Sequence, residues 1–208
     1  MKFMRKLTNE RFARLAARVM QFACYIVIFF YALCTVLSFM GRQAFTLRTH
    51  AETFERAIYA EEDHADLSRG LIIHSGDDIH VRTNDQDQID PITHLGLSLI
   101  YAFHSIPMIF AYRFLSRVFS NIRKGKIFTE QNSLYLLYYG ILQFSVALFV
   151  PFIKLMLCWL VNLVTSSPIG LATGKFTLIM LAPSIAFIVA AYIIHYGVHL
   201  QDEVDHTL

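Results

Sequence analysis

Three groups of residues in this sequence carry side chains capable of chemistry. His50, His64, His74 and His80 share residues 41–90 with eleven carboxylates, including the run Glu61, Glu62, Asp63, His64 and Asp66. Imidazole with carboxylate ligates Zn²⁺ and clustered carboxylates ligate Ca²⁺, but neither an H-E-x-x-H pair nor a calcium-loop pattern is present. That group therefore reads as a solvated acidic surface, with no metal and no cofactor implied. His104 and Gln143 each fall near the middle of a long apolar run. There a polar side chain serves a proton relay, a ligand contact or, more simply, an interhelical hydrogen bond of about 0.6 to 2 kcal/mol. Antiparallel neighbours set the two at similar depth, and because no mid-span Asp, Glu, Lys or Arg accompanies them, the packing bond is the plainer reading. The third group is basic: Arg113, Arg117, Arg123, Lys124 and Lys126 lie between two apolar runs, and Gln201, Asp202, Glu203 and Asp205 lie near the end of the chain. Their chemistry is docking, to anionic lipid, to a protein partner or to each other. A single surface ion pair is worth only about 0 to 1 kcal/mol, so pairing of connector and tail needs several charges acting together.

The elements that position these groups are set by composition. Of 208 residues 55% are hydrophobic and only 16% charged, and the mean hydropathy is +0.46. Four apolar stretches approach or exceed the roughly 20 residues that cross a bilayer. They are residues 19–40, 92–112, 134–154 and 176–198. The expectation is an all-α integral membrane protein, a bundle of four transmembrane helices. Residues 1–18 hold six Lys or Arg against Glu10, with Phe3, Leu7, Phe12 and Leu15 interleaved, a basic amphipathic lead-in suited to lipid headgroups or a partner helix. The first apolar run is too long for a signal peptide and lacks a small-x-small cleavage site, so it reads as an uncleaved span. Lys154 marks the expected end of the third crossing by snorkelling to the interface, with 155–164 and Trp159 as an interfacial or protruding extension. Pro107, Pro151 and Pro183 fall within spans and predict kinked helices, freeing the carbonyls of Phe103, Ala147 and Ile179. Cys24, Cys34 and Cys158 all sit in or beside apolar runs and read as small buried hydrophobes.

Orientation follows from Lys and Arg in the short flanks. Six precede the first span and five lie in the connector 113–133, while the third loop has only Lys154 and Lys175 around it. Positive-inside sorting puts both termini and the connector in the cytoplasm and the acidic 41–90 segment outside. That segment reads as a small mixed extracytoplasmic insertion between helices 1 and 2, with a short helix near 51–60 and a hairpin over 71–82 turning at Ser75 and Gly76. The basic connector flanks spans, so topology explains its charge and direct nucleic-acid binding is not implied. No nucleophile elbow, P-loop or glycine-rich dinucleotide motif is present, which leaves an enzyme without a catalytic residue set. Self-association into a homo-oligomer stays open.

Within the connector, Leu115, Val118, Phe119 and Ile122 recur at helical spacing, Gly125 breaks the helix, and Thr129 is placed to cap the next one with Glu130 in its first turn. The run from Val118 to Asn132, read as N-I-x-x-G-x-x-F-T-x-x-N from Asn121, together with the ending Leu200-Gln201-Asp202-Glu203-Val204-Asp205-His206-Thr207, resembles the bacterial membrane family catalogued as domain of unknown function 2975. The resemblance implies a four-span protein of the bacterial cytoplasmic membrane and, because such genes are often paired with a small helix-turn-helix regulator, a cytoplasmic transcription regulator as partner. It brings no catalytic residues. The expected function is a non-enzymatic regulatory or sensory membrane protein engaging that partner, with a small transporter or channel subunit as the alternative.

Overall fold

Between Glu10 and Phe39 the sequence holds no glycine and no proline, so nothing there interrupts a hydrogen-bonded helix. A computed structural model describes residues 10–48, 53–57, 73–74, 79–82, 89–166, 169–171 and 181–207; it gives the backbone alone at Glu10, at 201–207 and at the strand residues other than Ile79, Ile169 and Gly170. Glu10–Phe39 form one helix of 30 residues, α1. From Glu10 onward the basic lead-in is therefore the first turns of the spanning helix, with Arg11, Arg14 and Arg18 exposed on it, and not a separate surface segment. Its earlier residues lie outside the described ones.

Three further helices follow among the described residues: α2 (Pro91–Arg123, 33 residues), α3 (Glu130–Asn162, 33 residues) and α4 (Leu181–Thr207, 27 residues). Pro91 opens α2 at a position where its missing N–H costs nothing. All four are long and apolar enough to cross a membrane, α4 over Leu181–Leu200. Large apolar side chains such as Phe22, Phe29, Phe30, Phe149, Phe152, Tyr192 and Ile193 are exposed on them. Such a surface is an association liability in water and matches its surroundings in lipid. These features make the chain a multi-pass membrane protein.

The chain divides into two compact units, and α1, α2 and α3 contribute to both. The first comprises 1–31, 107–147 and 177–208. Its core is a four-helix packing in which Cys24 of α1, Ala111, Leu115 and Val118 of α2, Leu136 and Tyr139 of α3 and Ala191 of α4 are all buried. Tyr139 meets Phe187 edge-on at 4.7 Å and Tyr112 at 5.8 Å. Backbones approach closely where α3 meets α4: a Cβ on Gly140 would stand 3.1 Å from the Ser184 carbonyl oxygen and 2.8 Å from Ile188 Cγ1. Seven residues earlier on α3, Ser133 Oγ donates to the Ala191 carbonyl at 2.9 Å.

The second unit, 32–106 and 148–176, adds a sheet to three helices. Its strands are β1 (Gln43–Arg48), β2 (Thr53–Ala57), β3 (Ile73–His74), β4 (Ile79–Arg82) and β5 (Ile169–Leu171), in the order β2-β1-β4-β5 with β3 also on β1. Thr53–Ala57 is a strand, where a helix near 51–60 was the expectation. An isolated helix of that length is marginal, whereas pairing antiparallel with β1, Phe54 opposite Leu47, satisfies the backbone. Nor do β3 and β4 form the expected hairpin. Both run parallel to β1, Ile73 opposite Gln43 and His80 opposite Thr46, as successive stretches along one edge. β5 comes from the loop between α3 and α4 and pairs antiparallel with β4. Asn162 at the end of α3 places it, accepting from Ile169 N at 2.7 Å and donating to Ile169 O at 2.8 Å.

Ile79 and Ile169 from the strands are buried with Leu97, Ile100, Cys158 and Val161. The helical extension beyond Lys154 is thus covered on one side by this core, while Trp159 stays exposed on the other. Side-chain hydrogen bonds tie the elements of this unit. Thr35 and Ser105 share a hydrogen bond of 2.7 Å, His94 Nε2–H and Ser98 Oγ both donate to the Ser38 carbonyl, and Asp90 Oδ2 accepts from Thr165 Oγ1, Ser166 N and Ser166 Oγ at 2.7–2.8 Å.

Candidate functional site

The connector between α2 and α3 is a corner built from local hydrogen bonds. At the end of α2, Gly125 N–H reaches Ile122 O at 2.9 Å and Lys126 N–H reaches Asn121 O at 3.0 Å, the paired bonds of a Schellman cap. Gly125 has φ +81°, which an L side chain adopts only under strain. The helix restarts at Thr129, whose Oγ1 accepts from Asn132 N at 3.2 Å, an N-cap with Glu130 next in line. Asn132 joins the two halves and is fully buried. Its Oδ1 accepts from Asn121 Nδ2 at 2.8 Å, and its Nδ2 donates to the carbonyls of Lys126 at 2.7 Å and Ile127 at 2.8 Å. Ile122 packs against the four-helix core, and Phe128 lies against α4 within 4 Å of the Cβ position of Gly197. Each residue of the pattern N-I-x-x-G-x-x-F-T-x-x-N thus has a structural task.

What the corner presents is basic and partly apolar. Arg113, Arg123, Lys124 and Lys126 are exposed, as are Ile127 and Phe128. Arg117 is exposed too, but its guanidinium is 5.4 Å from the Tyr135 ring centroid and 6.0 Å from that of Phe114, so it is partly occupied by cation–π contact. The side chains of Gln201, Asp202, Glu203 and Asp205 lie outside the described residues, and with them the expected pairing of connector and tail. The backbone there continues α4 to Thr207. The loop imidazoles His50 and His64 lie outside as well, and His74 and His80 are described only as strand backbone.

Gln143 and His104 fall in different units. Gln143 Nε2 donates to the Tyr139 hydroxyl at 2.7 Å on its own helix, and Tyr139 in turn bonds Tyr112 of α2. His104 is half-buried and lies within the electrostatic reach of Lys154. Lys154 lies within α3, which runs on to Asn162 as the extension expected beyond it. Gln21 is buried, donates to the Tyr25 hydroxyl at 3.1 Å, and its Oε1 has no hydrogen-bond partner among the described residues.

Pro107 and Pro151 lie inside α2 and α3, which continue through them. Pro183 is the third described residue of α4 (Leu181–Thr207); Ile179 and the residues around it lie outside the described ones, and with them the expected kink. Cys24, Cys34 and Cys158 are buried and form no disulfide among the described residues.

One further cluster stands at the corner. Glu130, His195 and His199, all exposed, bring a carboxylate oxygen and two ring nitrogens within 4.8 Å of one another. The ring centroids of His195 and His199 are 4.6 Å apart, edge to face. Two imidazoles one helical turn apart are visible in the sequence as H-x-x-x-H, but the separation of Glu130 from them along the chain hides the third member. Comparison of the chain with protein families, characterised proteins and solved structures finds no match.

Proposed function

We propose that this multi-pass chain is a non-enzymatic regulatory or sensory protein of the bacterial cytoplasmic membrane, and that its α2–α3 corner docks a cytoplasmic partner. The observation that carries the reading is the corner itself: a turn locked by a buried asparagine holds Arg123, Lys124, Lys126, Ile127 and Phe128 exposed in a fixed arrangement. A connector needed only for topology requires positive charge and nothing more. Rigid presentation of mixed basic and apolar groups is what an interface uses to lower the ordering cost of binding. The Lys and Arg distribution supports a cytoplasmic location for this corner. From the resemblance drawn above, the partner is a small helix-turn-helix transcription regulator. The test is crosslinking in the native membrane, mild-detergent purification and mass identification, comparing wild type with R123E/K124E/K126E. A helix-turn-helix protein recovered with the wild type and lost with the triple variant supports the proposal. Equal recovery with both, or no such protein with a folded wild type, refutes it.

A second reading, a small transporter or channel subunit, draws on the half-buried His104 under the influence of Lys154. Ionisable groups at membrane depth are costly and tend to be retained for function. Substrate or ion flux into reconstituted vesicles that is abolished by both His104→Ala and Lys154→Ala supports it, and unchanged flux removes it.

A further inference from the structure

We infer that Glu130, His195 and His199 form a binding site for a borderline divalent transition-metal ion of the Zn²⁺ and Co²⁺ class. Two imidazoles at i and i+4 stand on one face of α4, and the carboxylate comes from the first residue of α3. This spacing is how a helix offers two nitrogen ligands to one metal. The donor atoms lie within 4.8 Å of one another. Bonds of about 2.0–2.2 Å to a tetrahedral ion set donors roughly 3.4 Å apart, so closure needs movements of about 1 Å at the tips of exposed side chains. Exposure makes those movements cheap and spares the ligands a desolvation cost.

The surroundings hold the ligands in place. Thr129 caps α3 immediately before Glu130, Asn132 locks the turn that precedes it, and Phe128 rests against α4 at Gly197, between the two histidines in sequence. The imidazole rings already meet edge to face at 4.6 Å. A nitrogen-rich set with one carboxylate favours Zn²⁺, Co²⁺, Ni²⁺ or Cu²⁺ over Mg²⁺ and Ca²⁺, which take oxygen ligands. Three protein ligands leave a fourth position open to water or to a partner's side chain. Bound metal would join the start of α3 to the last turns of α4, coupling the corner to the terminal helix. The inference does not depend on the partner reading.

The test uses the full chain in detergent, purified without a polyhistidine tag and stripped with chelator, and titrated with Co²⁺ followed by its visible absorption and with Zn²⁺ followed by thermal unfolding. One saturable Co²⁺ per chain and a Zn²⁺-dependent rise in unfolding temperature are expected. His195→Ala and His199→Ala should each weaken binding at least tenfold and remove the thermal shift, with Glu130→Gln a smaller loss. Should an alanine variant fail to purify, His199→Gln, which keeps a polar side chain of similar reach, takes its place. No saturable binding to the wild type, or binding equally strong in all variants because other histidines hold the ion, would overturn the assignment. So would a Glu130→Gln effect on stability without metal and no metal effect at all, which marks a plain Glu–His contact.

Discussion

Replacing Asn132 by alanine isolates what holds the corner. The side chain is fully buried and makes three hydrogen bonds, with Asn121, Lys126 and Ile127. At about 1 kcal/mol net for each, their loss amounts to about 3 kcal/mol. Two considerations bound this. The carbonyls of Lys126 and Ile127 belong to exposed residues and regain water easily, which lowers the cost, while the void left by the amide raises it. Since 1.4 kcal/mol is tenfold in an equilibrium constant, about 3 kcal/mol raises the locally open population roughly a hundredfold. Arg123, Lys124 and Lys126 put trypsin sites inside the turn, and in the regime where opening is fast relative to cleavage the cutting rate follows that population. Limited trypsinolysis of detergent-solubilised protein should therefore cut Asn132→Ala about a hundredfold faster at these residues. Asn121→Ala, which removes one bond, should accelerate cutting only about fivefold for about 1 kcal/mol. Cleavage of Asn132→Ala at the wild-type rate, or no faster than Asn121→Ala, would refute the assignment of Asn132 as the element that locks the turn.

Three further outcomes follow from the same contacts. Gly125→Ala should cost roughly 1 kcal/mol, since nothing lies within 4 Å of the added methyl and the penalty is confined to φ +81°, with Gly125→Asn closer to wild type in a chemical or thermal unfolding assay. Gly140→Val should destabilise by about 1–3 kcal/mol through overpacking against Ile188 and Ser184, and Ile188→Ala should restore only the part due to Ile188 Cγ1, because the Ser184 carbonyl cannot retreat. Cys24, Cys34 and Cys158 should resist maleimide in the native membrane and all react after denaturation, while a cysteine placed at Lys124 in a cysteine-free background should label with an impermeant reagent only after cells are opened, if the corner is cytoplasmic.

Much of the corner is local and therefore legible. The break at Gly125, the cap at Thr129 and the acid at Glu130 depend on neighbours within a turn or two, and the four apolar runs depend on composition alone. Where the outcome depends on a distant partner it was not legible: Thr53–Ala57, expected as a helix, is a strand because β1 offers it an antiparallel edge.

By itself, then, the sequence determined the four long apolar helices found among the described residues and the turn between the second and third of them, because length, hydropathy and capping act along the chain. Only the tertiary structure decided that Ile169–Leu171 joins β4, that Asp90 receives the loop at Thr165 and Ser166, and that Glu130 stands beside His195 and His199. Those contacts link residues roughly 65 to 90 positions apart, where no local propensity operates and only packing brings the partners together.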